Sequence, residues 1–252
     1  MVTHIAKKRF GQHFLVDEYI INQIVQLINP KITEFLVEIG PGLAALTKPI
    51  LEYVEKLHVI ELDRDIIKFL KNSFADKLVI HEGDALNFNF TFNNEPLRIV
   101  GNLPYNISTP LLFHLANYNN IIDMHFMLQK EVVERLCAKP STGNYGRLSV
   151  MMQYKYNCSK ILDVGAQCFN PVPKVASAVV KIVPKPQFMW KEVNYIKLNQ
   201  VVMMAFNQRR KTIQNSLKGL INNDVFDKLN IDIKKRAENL TVTEYIILAT
   251  TI

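Results

Sequence analysis

With 252 residues, 48% of them hydrophobic, the chain can bury a substantial core as one large domain or as one domain with a smaller appendage. No run approaches the roughly 18 uninterrupted apolar residues of a membrane span, the basic start is followed by no apolar signal core, and a cytoplasmic globular protein is expected. Cys137, Cys158 and Cys168 form no Cys-x-x-Cys pair and indicate neither a disulfide framework nor a zinc site, while a net charge of +7 and a pI near 9.2 favour a polyanionic partner.

In chain order, Asp17 is placed to cap a helix that runs to Asn29, before Pro30. Short β-branched runs follow at Phe35–Ile39, Leu57–Ile60, Lys77–Ile80 and Arg98–Val100, with helical periodicity between the first three. One of those intervening stretches, Leu46 to Val54, reads as a helix after the first strand. This alternation predicts βαβ units and a doubly wound, mostly parallel, Rossmann-like α/β sheet. Further strands are expected at Met124–Leu128 and Ser177–Val183. Pro184-Lys185-Pro186 then marks a boundary between a catalytic domain, 1–186, and a helical C-terminal domain, 187–252. In the latter, helices are expected over Leu198–Phe206, Arg209–Leu220 and Thr243–Ala249.

The strand ending at Ile39 runs into Gly40-Pro41-Gly42-Leu43-Ala44-Ala45. Glycine there permits a sharp turn and lets a ligand approach a helix N-terminus, whose partial positive charge suits a carboxylate or phosphate. Glu61 ends the next strand, about 20 residues on, where a carboxylate can accept hydrogen bonds from both ribose hydroxyls. Asp84 ends the third. Together the three predict a nucleoside-containing cofactor. They do not choose among such cofactors, because Gly40-x-Gly42-x-x-Ala45 also meets the loose dinucleotide fingerprint of a nicotinamide dehydrogenase.

The fourth strand ends in Gly101-Asn102-Leu103-Pro104-Tyr105-Asn106-Ile107-Ser108. An adenine N6 amine is a poor nucleophile, since its lone pair is delocalised into the ring, and a site that methylates it should offer acceptors to the amine hydrogens. The Asn102 side-chain oxygen is one. The Leu103 carbonyl is a second, its direction restricted because the residue before Pro104 is held extended. Tyr105 supplies a stacking face. A dehydrogenase would need a proton-transfer side chain beside the nicotinamide, and Asn-Leu-Pro-Tyr offers no obvious one.

These motifs, with Lys8-Arg9-Phe10-Gly11-Gln12-His13-Phe14-Leu15, Val37-Glu38-Ile39-Gly40-Pro41-Gly42, Ile60-Glu61-Leu62-Asp63, Gly83-Asp84-Ala85, Phe206-Asn207-Gln208-Arg209-Arg210-Lys211-Thr212 and Arg236-Ala237-Glu238-Asn239-Leu240, resemble in order the signatures of the bacterial small-subunit (16S) ribosomal RNA adenine N6,N6-dimethyltransferases. The resemblance covers nearly the whole chain. It implies S-adenosyl-L-methionine as cofactor, with His13 and Leu15 closing over it, Gly40 against its methionine part, Glu61 on the ribose, Asp84 on the adenine, and Asn102 bordering cofactor and target. It further implies dimethylation of two adjacent adenosines in a hairpin loop near the 3′ end of 16S rRNA, late in the assembly of an immature small subunit, by a monomeric enzyme. Phe169 matches the family's second aromatic, expected to sandwich a flipped base against Tyr105. The chain departs from the usual pattern at Val172 and Ala176, where the family tends to have proline and aspartate, and at His13, where Asn is frequent. A large-subunit methyltransferase of the macrolide-resistance type shares the cofactor loop and the Asn-Leu-Pro-Tyr class of motif, but not the tail from Phe206 to Leu240. An assembly factor that binds RNA without needing catalysis is the alternative from another class. Lys8, Arg9, Arg209, Arg210 and Lys211 are the expected RNA contacts, the last three on consecutive helix positions and so pointing in different directions.

Overall fold

Apolar runs at regular spacing make the strands, and amphipathic stretches between them make the helices. The computed structural model describes residues 12–190 and 192–252, so the expected contacts Lys8 and Arg9 lie outside the described residues. The first half of the chain runs β1 (Phe14–Leu15), α1 (Glu18–Ile28), β2 (Phe35–Ile39), α2 (Thr47–Ile50), β3 (Leu57–Glu61), α3 (Arg64–Phe74), β4 (Leu78–Glu82), β5 (Leu97–Asn102), α4 (Ser108–Leu115) and β6 (Ile121–Gln129). It continues with α5 (Lys130–Cys137), α6 (Arg147–Gln153), β7 (Tyr156–Val164), β8 (Phe169–Asn170), β9 (Ser177–Pro184), α7 (Tyr195–Asn207), α8 (Ile213–Ser216), α9 (Asn223–Lys228) and α10 (Val242–Ala249). Among the described residues no helix is long and apolar enough to cross a membrane.

Seven strands form one sheet in the order β4-β3-β2-β5-β6-β9-β7. From β4 to β6 neighbours are parallel, and β9 runs antiparallel to β6. The chain lays β3 and β4 on one side of β2 and then crosses to lay β5 and β6 on the other. That reversal opens a crevice at the carboxyl ends of β2 and β5, the place where open α/β sheets bind ligands. The antiparallel β9, set between β6 and β7, departs from the six-strand order of dinucleotide-binding sheets. The doubly wound expectation holds.

Central parallel strands are buried on both faces, which is why β2, β3 and β5 read as almost continuous apolar runs. Val37, Leu57, Val59, Ile99 and Val100 are all fully buried. Two charged residues interrupt them, Glu38 and Arg98. The Arg98 guanidinium pairs with Glu34 and Asp123 and donates to the carbonyls of Ile28 and Asn29, so the C-terminal end of α1 is satisfied by a side chain of β5. At the other end Asp17 accepts from the Ile20 N–H, and Asn29 takes the left-handed conformation that ends the helix.

The chain divides into two compact units. One holds the residues up to Val133 together with Ser159–Val183, and the other Glu134–Cys158 with Pro184–Ile252. The observed break after Val183 is close to the boundary expected after residue 186, but segment 134–158 belongs with the C-terminal unit and not with the α/β unit. Its helix α6 packs against α7 and α10, with Tyr145, Val150 and Met151 buried.

Three local expectations are corrected. The helix expected over Leu46–Val54 is only Thr47–Ile50, preceded by turns. That expected over Arg209–Leu220 shrinks to Ile213–Ser216, because Thr212 pairs with Arg236 in an isolated bridge and residues 208–210 form a turn. Strand β7 was not anticipated. It is the end strand of the sheet, with Asn157, Ser159 and Lys160 exposed, and carries no continuous apolar run.

At the crevice β2 and β5 pack closely. A Cβ on Gly101 would lie 2.5 Å from the Ile39 carbonyl oxygen, against backbone that cannot swing aside. Gly101→Ala should therefore destabilise the protein by about 1–3 kcal/mol in urea unfolding, the usual cost of overpacking. Gly143→Ala, where the added methyl meets nothing within 4 Å, should stay within about 0.5 kcal/mol of the parent.

Candidate active site

Each strand that reaches the crevice delivers one functional group. After β2 the backbone turns through Gly40 (φ 67°) and Gly42 (φ 55°), a left-handed path open to glycine. A Cβ at Gly42 would come within 3.2 Å of the Phe14 ring, so the loop and the segment around β1 form a close-fitting wall. The following helix has four residues, so its dipole contributes little and the turn itself presents the backbone to a ligand.

Glu61 ends β3 and is nearly buried. Its Oε1 accepts from the backbone N–H groups of Leu62 and Asp63, each at 2.8 Å. Burial pushes its pKa up, and the backbone N–H groups of Asp63, Leu62 and Gly42 pull it back. Asp84 follows β4, its Oδ1 held at 2.9 Å by the Leu86 N–H. Asn102 ends β5, and its Nδ2 donates to the His13 carbonyl at 3.1 Å. With the nitrogen committed there, the amide oxygen is left as the acceptor. Beyond it, Leu103 donates its N–H to Met127 and is almost fully buried, and the Pro104 carbonyl accepts from Ser108 Oγ at 3.1 Å. The Tyr105 hydroxyl lies 2.8 Å from Ser177 Oγ at the start of β9. Burial raises the Tyr105 pKa, so the phenol remains neutral at physiological pH.

His13, Leu15, Gly40, Glu61, Asp84 and Asn102, the expected cofactor residues, line one cavity of about 370 Å³ together with Leu103, Pro104 and Tyr105. That size suits a small-molecule cofactor. The fit extends to chemistry: a buried carboxylate anchored on one oxygen, a glycine cradle that any side chain would narrow, and an amide with one end fixed.

Phe169 is not on this wall. Only 2% of it is exposed, and its ring joins the core cluster with Leu15, Val164 and Cys168. The β1–β8 pairing sets it opposite Leu15, so it backs the cavity wall through Leu15. The structure thus does not bring Phe169 face to face with Tyr105, since an aromatic in a short paired segment gains from core burial. Arg209, Arg210 and Lys211 sit in the turn and bend after α7 and not on a helix. All three are exposed, and Arg209 also donates to the Tyr145 carbonyl and lies beside Glu238 within the C-terminal unit.

Glu38 and Ser177 enter the site from inside a motif and a strand. Glu38 lines the cavity, accepts from Thr47 Oγ1 at 2.6 Å, and has its pKa raised to about 7 by burial and by the neighbouring Glu61. A lone acid in an otherwise apolar strand was the available signal for it.

A reversed-order α/β sheet, a cofactor cavity at its switch point and an Asn-Leu-Pro-Tyr end to β5 define a Rossmann-like S-adenosylmethionine-dependent methyltransferase. The model of the ribosomal RNA adenine dimethylase family matches residues 3–252, and the chain belongs to that family. It is 54% identical over 252 residues to a Chromobacterium violaceum protein named ribosomal RNA small subunit methyltransferase A, covering 99% of this chain and 96% of the relative. A Dechloromonas aromatica protein of the same name is 50% identical over 251 residues, covering 99% and 98%. Among solved structures, a dimethyladenosine transferase from Plasmodium falciparum superposes with a TM-score of 0.80 at 26% identity, covering 94% of this chain and 96% of that one. The 23S rRNA methyltransferase ErmE gives 0.74 at 21% identity over 94% and 98%, a likeness of fold. The chain is thus an rRNA adenine dimethyltransferase with S-adenosylmethionine as its expected methyl donor, and the nicotinamide alternative falls away.

Glu38 makes stability depend on pH. Its folded pKa of about 7 exceeds the ordinary carboxyl value, so the native state holds a proton that the unfolded state has released between roughly pH 4.5 and 7. Stability from this group is complete at low pH and is lost as pH rises through 7, by on the order of 3 kcal/mol. Glu38→Gln removes that loss. In urea unfolding the variant should gain on the parent steadily from pH 5 to pH 7.5; a pH-independent difference would contradict the proton assignment.

Proposed function

We propose that the chain dimethylates the N6 amines of two adjacent adenosines in a hairpin loop near the 3′ end of 16S rRNA, acting as a cytoplasmic monomer on the immature small subunit late in its biogenesis. The observation that carries this reading is the polarity of the Asn102 amide, whose nitrogen is tied to His13 and whose oxygen is left for an amine. The small-subunit names of relatives at 50–54% identity support the choice of target over the large-subunit alternative.

S-adenosylmethionine supplies an electrophilic methyl on a sulfonium, and its transfer releases a neutral thioether. Glu61 would hold the ribose, Asp84 the adenine of the cofactor, and Gly40 its methionine part, with His13 and Leu15 closing the cavity. Asn102 Oδ1 and the Leu103 carbonyl accept from the N6 hydrogens, draw the lone pair out of the ring and stabilise the positive charge that develops on nitrogen. Tyr105, steadied by Ser177, stacks on the base. No strong base is needed, because the amine loses its proton after the methyl has arrived. Alignment of nitrogen, methyl and sulfur does most of the work. After the first transfer a single N6 hydrogen remains, so Asn102 and Leu103 can no longer both be satisfied by the amine, and the site must admit a methyl beside one of them.

The test is methyl transfer to immature small subunits from cells lacking the endogenous enzyme, with nucleosides read by mass spectrometry. N6,N6-dimethyladenosine at two neighbouring positions is expected, and its absence would overturn the assignment. In the same assay Asn102→Ala should lower kcat on the order of 100-fold, since its bond strengthens as charge develops. Glu61→Ala should act mainly on the KM for S-adenosylmethionine, and the opposite partition would exchange their roles.

RNA binding is assigned to the exposed Arg210 and Lys211. Reversing both to Glu should weaken binding and make the dependence of log K on log salt shallower by about two units, one for each lost phosphate contact. An unchanged salt slope would remove these residues from the interface.

A further inference from the structure

Outside the cavity, toward the β4 edge of the sheet, two histidines face each other. His58 on β3 and His81 on β4 share one sheet face, with ring centroids 5.3 Å apart and planes inclined by 19°, and His58 Nδ1 lies 3.0 Å from His81 Nε2. Three phenylalanines enclose the pair. The Phe35 ring of β2 lies 4.4 Å from that of His58, Phe88 lies 5.2 Å from His81, and Phe92 stands 5.7 Å and 5.6 Å from the two. Phe88 and Phe92 belong to the segment that leaves β4 through the Asp84 turn and returns to β5. Within it Phe92, Asn93 and Asn94 take positive φ in succession, 39°, 56° and 64°. Asn tolerates the left-handed region, whereas a phenylalanine there is strained and persists only because its surroundings over-determine it. Those surroundings act from two sides. Asn120 Nδ2 donates to the carbonyls of Phe90, Thr91 and Glu95, and the Phe92 ring packs edge-on against both imidazoles.

We propose that the His58–His81 pair is an acid-sensitive latch that holds the 86–95 segment, and through it the Asp84 turn, in the arrangement that binds the cofactor. Neutral imidazoles keep their contact with one hydrogen between the facing nitrogens. Once both rings are protonated, both facing nitrogens carry hydrogen, the bond is lost, and two cations stand side by side among phenyl rings. The surroundings oppose that charge. Phe35, Phe88 and Phe92 bring rings and no counter-ion, Lys56 ahead of β3 is a further cation near His58, and Glu82 on β4 is turned to the other face, where it pairs with Lys71 of α3. Glu95, at the end of the segment, is exposed, and His114 of α4 donates from Nε2 to the Phe88 carbonyl, a bond that both of its protonation states can make. Burial, the neighbouring ring and Lys56 hold the His58 pKa at about 4, and burial lowers that of His81 as well. Both folded values lie below the ordinary 6.5, so the contribution of the latch is full above pH 6.5 and is lost as pH falls from there toward 4.

The link to the cofactor rests on the reading of Asp84 as its adenine contact, and the experiment separates the two. Hydrogen exchange in peptides spanning residues 86–95, corrected for the intrinsic pH dependence of exchange, would be followed from pH 7.5 to pH 5. The parent would be compared with the double variant His58→Phe, His81→Phe, which keeps two rings and cannot titrate, and calorimetry would give the Kd for S-adenosylmethionine over the same range. Protection of the parent segment should fall about tenfold or more by pH 5, and that of the double variant should stay level. Should two phenyl groups loosen the fold, His81→Gln keeps a polar partner for His58 and leaves one titrating ring, so its response should be shallower than the parent's. A parent segment equally protected at both ends of the range, or variants that loosen with acid as the parent does, would overturn the latch. The Kd of the parent should rise with acid more steeply than that of the double variant. Parallel curves, with Asp84→Ala weakening binding at pH 7.5, would overturn the tie between the latch and the Asp84 turn. If Asp84→Ala leaves the Kd unmoved, the reading of Asp84 has failed, and the exchange result alone decides the latch.

Discussion

Gly101 and Ile39 meet where β5 and β2 end, and the space between them admits nothing larger than hydrogen on the Gly101 Cα. This close approach fixes how far apart the two strand ends stand. Two parts of the cavity lining hang directly from these ends: the Gly40–Gly42 turn leaves β2, and Asn102 to Tyr105 leave β5. Because parallel neighbours lie in strict register, Val37 beside Ile99 and Glu38 beside Val100, the cofactor turn and the acceptor amide cannot slide relative to each other. The relative placement of the two loops is thus a property of sheet packing.

Around that fixed pair the chain places carboxyl groups of two kinds. Glu61 is anchored by backbone N–H groups, which favour its charged form against burial, and a carboxylate so held can grip hydroxyls without moving. Glu38 has a single hydroxyl partner and keeps its proton to about neutral pH. Two acids on adjacent strands thus meet different hydrogen-bond partners, and burial raises the pKa of both.

Much of this was legible in the amino-acid order wherever a signal is local. Asp17 and Asn29 announce the ends of α1 through their own side-chain and backbone preferences, and Gly40, Glu61, Asp84 and Asn102 declare themselves because each ends an apolar strand. What was hidden depends on residues distant in sequence. The Asn102 bond to His13 spans most of the α/β unit, and nothing near either residue foretells it. Phe169 looks like a loop aromatic until β8 is seen paired with β1. Segment 134–158 follows β6 without a break in composition, yet its helix α6 belongs with α7 and α10. Strand β7 mixes polar and apolar residues without a regular period of two, which does not separate it from a loop.

The pairing of Leu15 with Phe169 also bears on how the enzyme is made. One wall of the cavity belongs to β1, and its partner strand β8 follows more than 150 residues later in the chain. Strands β2 to β6 can associate as they emerge, each beside a neighbour already present. The segment around His13 has no such neighbour, and its closing loop is the longest in the α/β unit. A chain halted before residue 169 would lack the strand that β1 pairs with, so the wall around Leu15 is the last part of the cavity to be fixed.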